Sequence, residues 1–412
     1  MALVVQKFGG TSVADAERLR AAARRLVAAR EEGHEVIGVL SAMGGATDEL
    51  LALAHTISET PDPRELDMLL SVGERISCAL AAMAIHDLGH EAISLTGSQA
   101  GIVTDTAHTS AKIVEIRAPR IRTALDGGAI VLVAGFQGVS TTLEVTTLGR
   151  GGSDTTAVAL AAALGADRCE IFTDVEGVFT ADPRLVPDAR KLDAISYEEM
   201  LELAAAGAKV MMLRSVEFAR RHGVRIHVRS SLSEAEGTWI VSREELMEEP
   251  IISGIAHDTS EAEITILGVP DRPGIAARVF RTLADVGVNV DMIVQNVSAE
   301  GHTDISFTLP STELRRAIGV LEPLATEIEA SGVTSDSEIA KISLVGAGMR
   351  THPGVAADMF DALAEEGINI GIISTSSVRI SCVVPLADVQ RAVKAVHDRF
   401  ALHAPVVAAE RG

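Results

Sequence analysis

The stretch Leu3-Val4-Val5-Gln6-Lys7-Phe8-Gly9-Gly10-Thr11-Ser12 decides how the first part of the chain folds. It predicts a strand, Leu3 to Phe8, that leads through two glycines into a helix from Ala14 to Arg30. Glycines let the phosphates of a ligand approach backbone N–H groups, and a helix N-terminus favours negative charge. Lys7 adds a full positive charge. The pattern therefore favours a nucleotide-triphosphate site, although a Gly-Gly turn between a strand and a helix is often only a turn.

The composition excludes several classes of protein. The 412 residues are 47% hydrophobic, which is ample for two or three globular domains. A net charge of −21 disfavours binding to nucleic acid or to an anionic membrane. Cys78, Cys169 and Cys382 lie far apart in apolar surroundings, so we expect reduced thiols in a cytoplasmic protein. We expect neither secretion nor membrane insertion, since the start lacks a basic region and no apolar run approaches a membrane span.

Short β-rich runs alternate with helical runs from Ala2 to about Val241, which predicts an α/β domain with a mainly parallel sheet. The predicted strands are Leu3 to Phe8, Glu35 to Ser41, Glu91 to Leu95, Ala129 to Phe136, Cys169 to Thr173 and Val224 to Val228. The predicted helices are Ala14 to Arg30, Arg64 to Leu88, Asp154 to Leu164 and Tyr197 to His222. Between Ser230 and Glu263 the periodicity weakens and acids cluster, which predicts a domain boundary.

The remainder of the chain repeats itself. Pro273, Gly274, Phe280, Leu283, Gly287 and Asn289 each recur 80 residues later, which indicates two copies of one α+β module. In the first copy we predict a strand from Glu263 to Val269, a helix from Ile275 to Val286 and a strand from Val288 to Val294. In the second copy the corresponding predictions are Ile342 to Gly346, Val355 to Glu366 and Ile368 to Ile373. Two copies are too few for a solenoid, so we expect a paired ligand-binding or dimerising unit.

A second glycine-rich segment, Gly149-Arg150-Gly151-Gly152-Ser153-Asp154, precedes an alanine-rich helix. Its glycines free the backbone to approach a ligand, Ser153 or Asp154 is expected to cap the helix, and Arg150 offers a planar fork to a carboxylate or phosphate. The alternative is a helix cap with a solvent-facing arginine.

The third segment runs from Thr173 to Arg184 and follows a predicted strand. Ligands of open α/β sheets bind beyond the carboxyl ends of strands, so this loop suits the base and ribose of a nucleotide. Asp174 and Asp182 are candidates for the ribose hydroxyls, and Arg184 for phosphate. The alternative is an ordinary capped turn.

Weaker signals complete the set. Ser71-Val72-Gly73-Glu74-Arg75 interrupts a helical run, and on spacing alone an exposed Glu74 and Arg75 are favoured. Lys209 is predicted to start a helix, where a cation is unfavourable unless an anion is bound. None of the 12 histidines forms a His-Glu-x-x-His pattern, so zinc hydrolysis has little support.

Together these segments resemble the aspartate kinases (aspartokinases) of the amino-acid kinase family, and the resemblance covers nearly all of the chain. The motifs that carry it are Lys7-Phe8-Gly9-Gly10-Thr11-Ser12, Ser41-Ala42-Met43, Gly73-Glu74-Arg75, Thr147-Leu148-Gly149-Arg150-Gly151-Gly152-Ser153-Asp154 and Thr180-Ala181-Asp182-Pro183-Arg184. The tail of paired repeats is similar to two ACT regulatory domains.

The resemblance implies an amino-acid kinase fold, a three-layer α/β sandwich with a mainly parallel sheet, followed by two ferredoxin-like α+β ACT domains. It places the catalytic domain at residues 1–245 and the ACT domains at 263–335 and 336–412, with the last segment of the second expected to complete the sheet of the first. The implied reaction is phosphorylation of the β-carboxylate of L-aspartate by ATP to 4-phospho-L-aspartate, the committed first step toward lysine, threonine and methionine. Magnesium is expected to arrive with ATP, because no dense carboxylate cage or protein metal site is visible.

The resemblance also assigns roles to single residues. Lys7, Asp154 and Lys209 are the implied catalytic residues, with both lysines on the ATP phosphates and Asp154 as organiser of the lysine. Arg150 is implied at the α-carboxylate of the substrate and Glu74 at its ammonium. The other implied substrate residues are Thr47, Gly151, Gly152 and Ser153. The other implied ATP residues are Phe8, Gly9, Gly10, Ser41, Thr173, Asp174, Phe179, Thr180, Asp182 and Arg184. These charges suit a reaction that brings two anions together, because positioning and positive charge carry such catalysis.

In each repeat a Pro-Gly turn opens a helix whose N–H groups can hold the carboxylate of an effector, lysine or threonine or both. The expected effector residues are Gly274, Ile275, Ala276, Asn289, Val290, Asp291 and Gln295 in the first copy and Val355, Ala356, Asn369, Ile370 and Ser376 in the second. Gly371 replaces the acid of the first copy, so the two copies are not expected to bind the same ligand in the same way. Packing modules without a ligand are the alternative. The resemblance implies a homo-oligomer through the ACT domains and leaves open a second, shorter regulatory chain.

Two rival functions stay open. One is an amino-acid kinase acting on glutamate or an N-acylated acid, and Glu74 beside an ammonium argues against the acylated substrate. The other is a catalytically silent amino-acid sensor on a kinase-like scaffold, against which the intact lysine, arginine and aspartate of the phosphate segments speak.

Overall fold

The structure, a computed structural model, describes residues 1–246, 250–296 and 301–404. The chain forms two compact units. The first comprises Met1–Val178, Lys191–Ala204 and Lys209–Met247, and the second comprises Phe179–Arg190, Ala205–Ala208 and Glu248–Gly412. Strands and helices are numbered in chain order over the described residues.

An eight-stranded sheet forms the centre of the first unit. Its strands are β1 (Leu3–Phe8), β2 (Glu35–Leu40), β3 (Ala92–Leu95), β6 (Ile130–Ala134), β9 (Arg168–Thr173), β10 (Ala194–Ser196), β11 (Ile226–Ser230) and β12 (Thr238–Val241). Their order is β10-β12-β11-β9-β1-β2-β6-β3, and every pair is parallel except β11 with β12. The sequence prediction of a mainly parallel sheet is therefore confirmed.

Helices cover both faces of this sheet. The helices are α1 (Ala16–Glu31), α2 (Ala46–Ile57), α3 (Pro63–Leu70), α4 (Val72–Asp87), α5 (Pro119–Asp126), α6 (Gly152–Leu164), α7 (Tyr197–Ala205) and α8 (Leu213–His222). Phe8, Leu40 and Leu132 point to one face and form a core with α1 and α4. Successive side chains of a strand point to opposite faces, so Lys7 points to the other face, where it meets α6. The result is the predicted three-layer sandwich.

A second sheet of the first unit was not predicted. It contains β4 (Ile102–Thr104), β5 (Ile113–Ile116), β7 (Gln137–Ser140) and β8 (Val145–Thr147), in the order β5-β4-β7-β8. Its strands are only three or four residues long, and each contains at least one polar residue, so they lack the longer apolar run that marks the central strands. Strand β8 ends three residues before Arg150, and this small sheet therefore positions that arginine.

The second unit contains two antiparallel four-stranded sheets. The first module is β14 (Glu261–Pro270), α9 (Ile275–Asp285), β15 (Ile293–Gln295), β16 (His302–Pro310), α10 (Leu314–Glu327) and β17 (Gly332–Asp336), with the sheet order β15-β16-β14-β17. The second module is β18 (Ile339–Val345), α11 (Val355–Glu365), β19 (Ile373–Thr375), β20 (Arg379–Pro385) and α12 (Val389–Arg399), completed by β13 (Gly254–Asp258) in the order β13-β18-β20-β19. The first module thus has the β-α-β-β-α-β succession of a ferredoxin-like fold.

Backbone hydrogen bonds repeat between the two modules. The N–H of Asp291 donates to the carbonyl of Thr308, and the N–H of Gly371 donates to that of Val383, both at 2.9 Å. The first sheet ends with β17, and the part of the chain after residue 404, within the last segment that was expected to complete this sheet, lies outside the described residues.

Four sequence predictions about element bounds are wrong. The helix predicted from Arg64 to Leu88 is two helices that break at Ser71, and the one predicted from Tyr197 to His222 is interrupted by residues 206–212. The strands predicted at Val288 to Val294 and Ile368 to Ile373 begin only at Ile293 and Ile373, as β15 and β19, and end at Gln295 and Thr375, because the residues before them form loops.

Two expectations drawn from composition have a structural counterpart. All three cysteines are buried and unpaired. Within the described residues, Pro63–Asp87 is long and apolar enough to cross a membrane by length and composition, so the expectation that no apolar run approaches a membrane span is wrong. This segment breaks at Ser71 and carries the buried acids Asp67 and Glu74, and half of its apolar window is buried. The core helix of a globular domain passes the same test of length and composition, so this segment is weak evidence for a membrane span.

Candidate functional site

The predicted phosphate turn lies where β1, β2 and β9 end together. The N–H of Gly9 donates to the carbonyl of Phe172 at 3.2 Å, which joins the turn to β9. A Cβ on Gly10 would lie 3.1 Å from the carbonyl oxygens of Ala42 and Gly44, which follow β2. Any side chain at Gly10 would push these two segments apart, so glycine holds the turn close to the residues after β2.

Lys7 and Asp154 form an ion pair at this edge. Nζ of Lys7 lies 2.5 Å from Oδ1 of Asp154, and each side chain is 11% exposed. Asp154 lies in the first turn of α6, so the pair ties the end of β1 to the beginning of that helix. The structure therefore brings two of the three predicted catalytic residues together.

The start of α6 differs from the prediction of a Ser153 or Asp154 cap. The N-cap is Gly151, and Ser153 and Asp154 are buried inside the first turn. Gly151 has φ of 68°, and a Cβ there would lie 2.0 Å from Cγ of Met212. Only glycine fits such a left-handed, crowded position, so a side-chain cap is excluded by the backbone itself.

Arg150 precedes this turn and is exposed. Among the described residues it has no hydrogen-bond or ion-pair partner. An arginine beside a helix N-terminus, with its five donors uncommitted, is available to an anionic ligand.

Glu74 is the buried acid of the site, so the alternative of an exposed Glu74 is wrong. It is 3% exposed, and its Oε1 accepts a hydrogen bond from the N–H of Ala42 at 3.1 Å. Oε2 is buried without a hydrogen-bond partner among the described residues. Burial raises the pKa of Glu74 to about 7. A cation that reached Oε2 would satisfy the orphan oxygen and favour the ionised form.

A close helix approach holds Glu74 in place. A Cβ on Gly73 would lie 2.7 Å from Cβ of Ala42, so glycine lets α4 contact the residues after β2. Ser41 lies on this segment, and its N–H donates to the carbonyl of Phe8 at 3.1 Å. Contacts therefore run without a gap from the strand of Lys7 to Glu74.

The predicted nucleotide loop divides between the two units. Thr173 and Asp174 lie in the first unit, where the hydroxyl of Thr173 donates to Oδ1 of Asp174 at 3.1 Å. Phe179, Thr180, Asp182 and Arg184 lie in the second unit. There the hydroxyl of Thr180 is hydrogen-bonded to Nε2 of His397 at 3.0 Å, and Asp182 forms an ion pair with Arg184 at 2.6 Å. This pair holds the pKa of Asp182 below its ordinary value.

Two other predicted residues lie in plainer surroundings. Lys209 is exposed in the loop between α7 and α8, so the prediction that it starts a helix is wrong. Thr47 is half-buried in the first turn of α2. The described contacts do not join either residue to the pair of Lys7 and Asp154.

Sequence reasoning missed two residues that hold the Arg150 segment. Asp67, fully buried in α3, accepts from the hydroxyl of Thr147 at 2.5 Å. Arg214 donates to the carbonyls of Leu148 and Ala111 at 3.0 and 2.9 Å. A polar residue between apolar helix positions was the only signal for either one.

The predicted effector residues lie at the expected helix starts of the second unit. Gly274 and Gly354 are the N-caps of α9 and α11, with φ of 95° and 105°. Around them the first copy places Ile275, Ala276, Asn289, Val290, Asp291 and Gln295, and the second places Val355, Ala356, Asn369, Ile370 and Ser376. The polar members of both groups, Asn289, Asp291, Gln295, Asn369 and Ser376, are exposed.

Asp291 is already paired, which the sequence did not predict. Nζ of Lys341 lies 2.5 Å from Oδ2 of Asp291 and 2.6 Å from Oε1 of Glu261. Lys341 is 1% exposed. Burial lowers the pKa of Lys341, but the two carboxylates outweigh it and hold the pKa above the ordinary value. An ammonium of the protein therefore occupies one side of the carboxylate that was assigned to an effector ammonium.

Comparisons with known proteins agree with this architecture. The model of the amino acid kinase family matches residues 2–230, and that of the ACT domain matches 264–323 and 342–400. An aspartokinase of Mycobacterium tuberculosis is 57% identical over 407 residues, which are 98% of this chain and 97% of that protein.

Solved structures of Escherichia coli aspartokinase III are also similar. The complex with aspartate and ADP (R-state) has a TM-score of 0.80 at 28% identity, covering 96% of this chain and 99% of that one. The complex with lysine and aspartate (T-state) has a TM-score of 0.76 at 27% identity, covering 97% and 99%.

The chain thus belongs to the amino acid kinase family and carries two C-terminal ACT domains. Within that family it belongs to the aspartokinases, the aspartate kinases.

Proposed function

We propose that this enzyme transfers the γ-phosphoryl group of ATP, bound with Mg²⁺, to the β-carboxylate of L-aspartate and forms 4-phospho-L-aspartate. This is the first step of lysine, threonine and methionine biosynthesis in the cytoplasm. The observation that carries the proposal is the clustering of Lys7, Asp154 and Glu74 around the carboxyl edge of the sheet. One carboxylate oxygen of Glu74 is left without a hydrogen-bond partner among the described residues. The similar E. coli aspartokinase III, solved with aspartate and ADP, supports this choice of ligands.

Each charge has a task in this reaction. A carboxylate attacks the γ-phosphate without losing a proton, because it is ionised at pH 7, so the protein must gather two anions rather than supply a base. Lys7 holds the phosphates, and Asp154 orients Lys7. Arg150 takes the α-carboxylate of aspartate, while Oε2 of Glu74 takes its ammonium. Lys209 adds a second charge to the phosphates.

The remaining predicted residues keep their assigned roles in this proposal. Thr47, Gly151, Gly152 and Ser153 line the aspartate site, and Phe8, Gly9, Gly10, Ser41, Thr173, Asp174, Phe179, Thr180, Asp182 and Arg184 line the ATP site. Mg²⁺ is held by phosphate oxygens and water.

Lysine, threonine or both regulate the enzyme at the ACT modules, which pair across copies of the chain in a homo-oligomer. The lysine complex of E. coli aspartokinase III supports an amino-acid effector. The carboxylate of the effector would meet the N–H groups that open α9 or α11.

One assay tests the proposed function. Purified enzyme is incubated with ATP, Mg²⁺ and a candidate acid, and hydroxylamine traps the acyl phosphate. Aspartyl hydroxamate is the expected product. Glutamyl hydroxamate would identify a glutamate kinase instead, and no product with either acid would leave an amino-acid sensor without catalysis.

A further inference from the structure

Asp67 connects α3 to Thr147, which precedes Arg150 in the chain, and to the loop of His108 and Thr109. Its Oδ1 accepts from the hydroxyl of Thr147 at 2.5 Å, and both oxygens lie 3.1 Å from the N–H of Thr109. Nδ1 of His108 lies 2.7 Å from Oδ2. The Asp67 side chain is fully buried, and three partners satisfy its two oxygens.

Two of these partners, Thr147 and Thr109, lie next to the residues that precede Arg150. Thr147 ends β8 three residues before Arg150. A Cβ on Gly149 would lie 3.2 Å from the carbonyl of Thr109, so Thr109 packs against the residue that precedes Arg150. A shift of either threonine therefore moves the backbone that carries Arg150.

Glu74 lies on α4, the helix that follows the helix of Asp67, α3. Asp67 lies near the end of α3, and α4 begins directly after Ser71. A second tie secures this junction: Gln137 of β7 donates to the carbonyl of Ser71 at 2.7 Å and accepts from Nε of Arg75 at 3.2 Å. Gln137 also pairs with Thr147 in the small sheet. Hydrogen bonds thus join the region between α3 and α4 to two paired residues of the small sheet, Gln137 of β7 and Thr147 of β8.

We propose that Asp67 is a positioning residue for aspartate recognition, which holds the loop of Arg150 at a fixed distance from the helix that carries Glu74. The proposal rests on the proposed function, in which these two side chains grip the α-carboxylate and the ammonium of one aspartate. Neither residue touches ATP in that scheme. Loss of Asp67 should therefore weaken aspartate recognition selectively.

The test compares Asp67→Ala, Asp67→Asn and Asp62→Ala in the full-length enzyme. Asp62 caps the same helix by accepting from the N–H groups of Arg64 and Glu65, so its removal weakens α3 without touching the Arg150 segment. Steady-state kinetics give KM for aspartate and for ATP. We expect Asp67→Ala to raise KM for aspartate by about 10-fold to 100-fold, the range that small misplacements of binding groups produce, and to leave KM for ATP unchanged.

Two conservative variants, Asp67→Asn and Thr147→Val, sharpen the test. Asp67→Asn keeps an acceptor for Thr147 and Thr109 and should recover most of the affinity. Thr147→Val removes one hydrogen bond of a buried side chain at nearly constant volume, so it provides a milder variant if Asp67→Ala does not fold. It should raise KM for aspartate in the same direction by a smaller factor.

The outcomes separate the two proposals. Equal changes in both KM values, or the same pattern in Asp62→Ala, would overturn the positioning role while the wild type still makes aspartyl phosphate. A wild type that makes none would overturn the proposed function and this role with it.

Discussion

The ammonium of Lys7 lies 2.5 Å from Oδ1 of Asp154, and the pair joins the end of β1 to the first turn of α6. The acid pairs with the lysine and holds its ammonium beside the turn of Gly9 and Gly10. Asp154 therefore has two effects, one on the direction of Lys7 and one on the stability of a nearly buried charge.

Replacing Lys7 should separate these effects. We expect Lys7→Ala to lower turnover about 10²-fold or more, as loss of a preorganised charge donor does, and to lower stability because Asp154 remains buried and unpaired. Turnover is measured by the hydroxamate assay and stability by thermal unfolding.

The double variant Lys7→Ala/Asp154→Ala is the matched control. It should recover stability and remain inactive, since the unpaired acid is gone but the phosphate contact is not restored. Near-normal turnover in purified Lys7→Ala would remove Lys7 from the phosphate site.

Glu74 should make aspartate recognition depend on pH. Burial raises the pKa of Glu74 to about 7, and only the carboxylate form attracts an ammonium. We expect kcat/KM for aspartate to rise with pH through about 7 and then level off. Glu74→Gln should give a low kcat/KM that no longer changes in this range, and a flat profile in the wild type would contradict the ammonium role.

The same group predicts a stability difference with a definite sign. Its folded pKa of about 7 exceeds the ordinary 4.5, so the native state holds an extra proton between these values. The resulting stabilisation is complete below about pH 4.5 and is lost as pH rises through 7. The shift corresponds to roughly 3 kcal/mol. Urea unfolding of wild type and Glu74→Gln at pH 5 and pH 8 measures it.

The central strands could be predicted because parallel strands buried on both faces are rich in apolar residues, as in the continuous apolar run Ile130–Ala134. The small sheet could not, since a strand such as Gln137–Ser140 has neither an apolar run nor clear alternation. The strand Gln137–Ser140 is held by its pairing with β8 and by the hydrogen bond from Gln137 to Ser71, between α3 and α4. Sequence patterns do not show such long-range contacts.

The site follows the same division. The location of Lys7 and Asp154 could be predicted because each lies at the junction of a strand or loop with a helix, at the edge of the sheet where ligands of such sheets bind. Asp67 was not, because an acid on a helix resembles a solvated charge and its partner Thr147 is 80 residues away. The pairing of Lys341 with Asp291 was missed for the same reason, since it joins two modules.

Lys341 should be a strong stability determinant of the second unit. Removing one partner of a buried ion pair typically costs about 3–5 kcal/mol, because the other charges stay buried. We expect Lys341→Ala to lower the unfolding temperature clearly, since it leaves the buried carboxylate of Glu261 unpaired and removes the partner of the more exposed Asp291. Lys394→Ala is the matched control: its ion pair with Asp398 is exposed and should contribute little. Equal effects of the two variants in calorimetry would contradict the buried pairing.

Effector binding should stabilise the ACT modules measurably. A ligand present at 100 times its dissociation constant adds about 2.7 kcal/mol of apparent stability to the state that binds it. We expect lysine, threonine or both to raise the unfolding temperature, and D-lysine, with the same charges, to serve as the stereochemical control. No shift with lysine and threonine together would count strongly against feedback regulation at these modules.

Variants of single repeats should show which copy responds. Asn289→Ala alters the first copy and Asn369→Ala the second, and both side chains are exposed, so neither change should harm folding. Because Lys341 already holds Asp291 and the second copy has Gly371 at that position, we expect the two variants to reduce the thermal response unequally. Equal reductions for every effector would mean that the copies bind alike, and the difference at Asp291 and Gly371 would then carry no consequence for recognition.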